Sequence, residues 1–103
     1  MRMLLNVQIP HEPFNSLVRQ GTAGKLLSRI LDEQKPEAVY FTDDKGQRSA
    51  FIFLDMQDAS QIPAIVEPWL LAFSASVEIH PVMIPADLAK AGTAIENAVK
   101  KYA

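Results

Sequence analysis

The chain has no cysteine among its 103 residues. Thiol chemistry, iron–sulfur clusters and thiolate zinc sites are therefore excluded. It also lacks a basic run: formal charge is −2 with both signs interspersed, so a phosphate-tracking surface is not expected and nucleic acid is not an expected partner. No stretch approaches the roughly 18 apolar residues needed to span a bilayer. The opening Met1-Arg2-Met3-Leu4-Leu5 is interrupted by Asn6 and Gln8 and has no small-residue cleavage site, so neither a membrane association nor a signal peptide is expected. These absences give the expectation of a soluble cytoplasmic protein. There is no internal linker, repeat or low-complexity tract, and the length suits a single domain with its own core.

What the chain does have is a pair of segments apolar at odd and even positions alike. Ala38-Val39-Tyr40-Phe41-Thr42 and Ala50-Phe51-Ile52-Phe53-Leu54 flank the polar link Asp43-Asp44-Lys45-Gly46-Gln47-Arg48. Strand side chains alternate between two faces, so a hairpin apolar on both calls for cover on both. Around it the periodicity predicts strands at 3–9, 37–43, 49–55 and 76–82, and helices at 14–20, 23–34, 60–73 and 85–101. The phase of the apolar stripe slips across Gly21-Thr22-Ala23-Gly24, which separates two helices instead of extending one. Those glycines lack the spaced Gly-Lys-Ser/Thr signature of a phosphate-binding loop. Pro68 removes an interior amide, which predicts a kink or split near Ala64 to Glu67.

The order β-α-β-β-α-β is that of an α+β, ferredoxin-like domain. Right-handed crossovers place both helical layers on one face of a four-stranded antiparallel sheet with strand order 4-1-3-2. The C-terminal helix is additional. The other sheet face needs a cover, either a second copy of the chain or that C-terminal helix folded back, and the prevalence of two-fold homodimers favours the second copy.

The element order, with Lys35-Pro36-Glu37-Ala38-Val39-Tyr40-Phe41, Glu67-Pro68-Trp69 and Val77-Glu78-Ile79-His80-Pro81-Val82-Met83, resembles the dimeric α+β barrel superfamily over nearly the whole chain. That resemblance implies two sheets face to face across a homodimer and a ligand pocket between each sheet and its helices. It brings no catalytic motif, and no cofactor is expected.

Candidate functional residues follow from chemistry alone. Glu78 and His80 share a strand face with Asn6 and Gln8, as a hydrogen-bonded network at a dimer contact, as solvent-exposed groups at the sheet edge, or with His80 as a general acid or base. His11, in Pro10-His11-Glu12-Pro13, sits where a pocket mouth could be, and Tyr40 offers a hydroxyl, most simply a buried and satisfied one. Glu67 and Trp69 flank the helix-breaking proline and could bind a planar organic molecule; the apolar stripe favours Trp69 filling the core beside Phe73, with Glu67 solvated on the outer helix face. Arg48 could clamp a carboxylate or pair with Asp43 or Asp44 across the hairpin. Two histidines without a spaced acidic partner give no metal site. No nucleophile, acid and base converge, which favours a ligand-binding or accessory module. The alternative is a cofactor-independent isomerase or monooxygenase acting on a small aromatic or lactone-like compound. The discriminating feature is an enclosed apolar cavity of about 300 Å³ or more with a titratable side chain in it.

Overall fold

The computed structural model describes all residues, 1–103. Its elements are β1 (Arg2–Ile9), α1 (His11–Arg19), α2 (Ala23–Gln34), β2 (Ala38–Asp44), β3 (Gln47–Asp55), α3 (Ile62–Phe73, preceded by a 3₁₀ turn at Ala59–Gln61), β4 (Ser76–Pro81), α4 (Pro85–Lys90) and α5 (Gly92–Tyr102). The four strands form one sheet in the order β2-β3-β1-β4, with all neighbours antiparallel. This is the expected order, read from its other edge.

Strict alternation along β1 decides which face is buried. Met3, Leu5, Val7 and Ile9 point toward the helices with Ala50, Ile52 and Leu54 of β3, while Leu4, Asn6 and Gln8 point to the opposite, open face. Onto the inner face the helices bring Phe14, Ala23, Ile30, Ile65, Trp69 and Phe73. Phe14 meets Phe73 edge to face at 5.2 Å, and Trp69 lies 6.0 Å from Phe73, the offset geometries aromatic rings prefer.

Local chemistry accounts for the element ends. Gly21 adopts φ 76° between α1 and α2, a left-handed conformation that glycine takes without steric cost. Lys45 and Gly46, φ 54° and 76°, make the tight turn from β2 to β3. Asp58 accepts from the Ser60 amide and hydroxyl, while Gln61 Oε1 accepts from the Gln57 and Asp58 amides, a capping box for the start of α3. The Ser60 bonds hold the Asp58 carboxyl below its ordinary value. The Ser16 hydroxyl, 2.7 Å away, does the same for Glu12.

Two expectations are corrected here. α3 runs unbroken through Pro68, because Ile65, Trp69 and Phe73 anchor it to the core on both sides of the proline. The last helix divides at Ala91 into α4 and α5, where Gly92 is a weak helix former. α1 carries an extended residue at Glu12 (φ −114°, ψ 139°), so its unbroken helical stretch starts after Glu12, close to where the stripe places it. The C-terminal helices do not fold back over the sheet: none of their residues is buried, and the molecule measures 60 × 28 × 21 Å. They form an arm.

Candidate functional site

The open sheet face gathers most of the chemistry-bearing residues. Cross-strand register builds it in rows. Tyr40, Phe51, Asn6 and Glu78 form one row, and Ala38, Phe53, Leu4 and His80 the next. Leu4, Phe51 and Phe53 are half-buried at the centre, with polar groups at the edges.

His80 and Glu78 project from edge strand β4 with His80 Nε2 3.4 Å from Glu78 Oε2, both exposed. The contact is long and both groups are open to solvent. Beside Glu78, Asn6 Oδ1 is buried yet has no hydrogen-bond partner, a state that costs about 1–3 kcal/mol relative to a satisfied acceptor. Gln8 turns the other way, its Nε2 donating to Asp44 Oδ2 at 2.7 Å. Asn6, Glu78 and His80 therefore lie side by side, whereas Gln8 belongs to a separate pair with β2.

Tyr40 is on the same face but is 62% exposed. The buried, satisfied tyrosine expected from its strand is corrected: β2 is an edge strand, so nothing flanks that side of the ring. Three strand spacings of about 4.8 Å set it about 14 Å from Glu78, so Tyr40 and His80 do not meet within one subunit.

The remaining sequence candidates lie elsewhere. His11 opens α1 and is exposed. Trp69 is fully buried, its indole Nε1–H donating to Gln34 Oε1 at 3.3 Å while Gln34 Nε2 donates to the Ile65 carbonyl at 2.7 Å. Gln34 thus seals the indole and supports α3 next to the proline. Glu67 is exposed on the outer side of α3. Arg48 pairs with neither Asp43 nor Asp44. Its Nη1 donates to Asn15 Oδ1 at 2.7 Å and its guanidinium carbon sits 4.7 Å above the Phe14 ring, a cation–π arrangement that spans sheet and α1. Glu67, Trp69 and Arg48 are not brought together.

The space between sheet and helices is filled. Trp69, Phe73, Leu5, Ile52 and Val7 are sealed there. What remains is a cleft of about 220 Å³ at one end, lined by Glu33, Gln34, Leu54, Asp55, Gln61, Ala64 and Ile65. That is below the roughly 300 Å³ at which small-molecule pockets begin. An open hollow of about 530 Å³ lies where the chain leaves the sheet, bordered by Arg2, Val82, Met83 and Asp87. No cluster of His, Asp or Glu is arranged to hold a metal ion, and no helix is long and apolar enough to cross a membrane.

No family model matches the chain, and no curated protein matches it in sequence. Solved structures match it in shape. A 5-chloro-2-hydroxyhydroquinone dehydrochlorinase from Burkholderia phenoliruptrix AC1100, in complex with 2,5-dihydroxybenzoquinone, is 15% identical with a TM-score of 0.60; the match covers 84% of this chain and 97% of that one. A formyltetrahydrofolate deformylase from Pseudomonas putida KT2440 is 16% identical with a TM-score of 0.50 over 80% of this chain. The chain spans 29% of the deformylase's length. At such identities the likeness concerns the fold: an α+β domain with a four-stranded antiparallel sheet and helices against one face.

Proposed function

We propose that the chain works as a ferredoxin-like homodimer of the dimeric α+β barrel kind, its two open sheet faces meeting, and that it binds a small planar organic molecule without transforming it. One observation carries this reading: an apolar patch of Leu4, Phe51 and Phe53 borders a buried acceptor, Asn6 Oδ1, that lacks a donor. A facing subunit would remove the patch from water, and a hydroxyl or amide of the ligand would satisfy the acceptor. The filled space under the helices moves the proposed ligand site from the sheet–helix crevice to this face.

The test uses Asn6→Leu. The variant replaces an unsatisfied polar atom by an apolar one of similar length, so its unfolding free energy is expected to rise, by about 1 kcal/mol. Binding of 2,5-dihydroxybenzoquinone, followed by resonance shifts of Tyr40 and His80, is expected with the native chain and not with the variant. A native chain that sediments as a single copy, or shows no such shifts, overturns the reading.

The second reading is the cofactor-independent isomerase or monooxygenase, favoured by the imidazole of His80 beside Glu78 on that same face. His80→Gln keeps hydrogen-bonding capacity but cannot exchange a proton near neutrality. Under the enzyme reading turnover of a hydroxylated aromatic substrate drops by a factor of about 10²–10⁴ with the dimer intact. A variant that binds the quinone as the native chain does, with no turnover by either, retires the enzyme.

A further inference from the structure

The arm formed by α4 and α5 has the makings of a docking element. Leu88 on α4 and Ile95, Val99 and Tyr102 on α5 are all more than half exposed, and the three on α5 recur at the four- and three-residue spacings that put them along one helical side. A surface helix does not keep such a stripe in water to no purpose. The radius of gyration is 17.4 Å, against about 13 Å for a compact domain of 100 residues. The arm is therefore held away from its own body.

The body has a matching gap. β2 is an edge strand, and Phe41 is 58% exposed although it lies on the helix side of the sheet, opposite Ala50. Val39, at the start of the strand, packs against the core, so the cover gives out between Val39 and Phe41. Tyr40 is bare on the other side of the same strand, so β2 presents aromatic surface in both directions.

Charge distinguishes what fits there. At the end of β2, Asp43 has no ion-pair partner, since Arg48 across the strand is engaged by Asn15 and Phe14. Asp44 beside it accepts from Gln8 alone. The arm carries Lys90, Lys100 and Lys101 against Asp87 and Glu96, and none of these lysines is ion-paired. An apolar stripe ending in two free lysines complements an aromatic edge ending in two aspartates.

From these complementary surfaces we infer that the arm of one copy crosses to a second copy and seats its Leu88 and its Ile95, Val99 and Tyr102 stripe along the partner's β2, over Phe41, with Lys100 and Lys101 near Asp43. The inference rests on the sheet-to-sheet pairing proposed above. It adds a second, reciprocal contact, since each arm leaves β4 at one sheet edge and is received by β2 at the opposite one.

The test exploits a cysteine-free chain. Asn97→Cys, at an exposed arm position outside the apolar stripe, is spin-labelled in unenriched full-length protein and mixed with isotope-labelled native chain so that mixed dimers form. Expected is a strong loss of amide signal from Val39 to Asp44 of the labelled copy, reversed when the label is reduced, and weakened by Asp43→Lys in that copy. Dimeric mass with signal loss elsewhere, or none, overturns the arm contact and leaves the sheet pairing standing. A single-copy mass overturns both.

Discussion

Replacing Trp69 by alanine is expected to bring the protein close to unfolding. Trp69 has no solvent exposure and lies against Phe73 in the layer between sheet and helices. Excising such a side chain costs about 3–5 kcal/mol through lost transfer energy and the cavity left behind, while a domain of this size is stable by about 5–15 kcal/mol in all. Trp69→Phe separates the contributions. It keeps most of the ring but removes the Nε1–H that Gln34 Oε1 accepts, leaving that oxygen short of a donor at a cost of about 1 kcal/mol or somewhat more. Urea titrations are expected to show the midpoint falling in the order native, Trp69→Phe, Trp69→Ala with unchanged slope. A midpoint unmoved by Trp69→Ala would mean that this layer is not the core.

The second large effect concerns assembly. Phe53→Glu places a carboxylate at the centre of the open face, between Ala38 and Leu4. If two such faces meet, each copy buries an unpaired charge where it had an aromatic anchor, and the dissociation constant is expected to rise by a factor of about 30 or more, the equivalent of about 2 kcal/mol. The subunit itself should keep its circular dichroism, because Phe53 points away from the core. Sedimentation across a concentration series distinguishes a shifted dimer from native-like association; the latter would show that the sheet faces are not the contact.

How much of this was legible before the structure differs from element to element, and the reason is the range of the interaction involved. Period-two alternation at Met3, Leu5, Val7 and Ile9 reported directly which face of β1 is buried, because a strand's faces depend only on position along it. The helix break at Gly21 was equally local: a phase slip and a glycine suffice. Long-range partners left no trace. Nothing around Arg48 signalled Asn15, 33 positions away, so Arg48 was expected at the hairpin aspartates; Trp69 was legible as core beside Phe73, but its partner Gln34, 35 positions away, was not. Tyr40 was misjudged for a related reason. Its apolar neighbours describe the strand, but its exposure depends on β2 lying at the sheet edge, a matter of topology. The C-terminal helix was legible as an addition to the fold, but not its standing away from the sheet, because an amphipathic stripe says that a helix has a partner without saying where.

The bare flank of β2 has one more consequence, for encounters between copies of the chain. A newly made copy carries an unpaired row of main-chain donors and acceptors with Tyr40 and Phe41 beside it, the kind of template on which cross-β stacking starts. The doublet Asp43-Asp44 closes that row with like charges that repel the same residues of an incoming identical strand. These two aspartates act as gatekeepers against edge-to-edge stacking of identical strands.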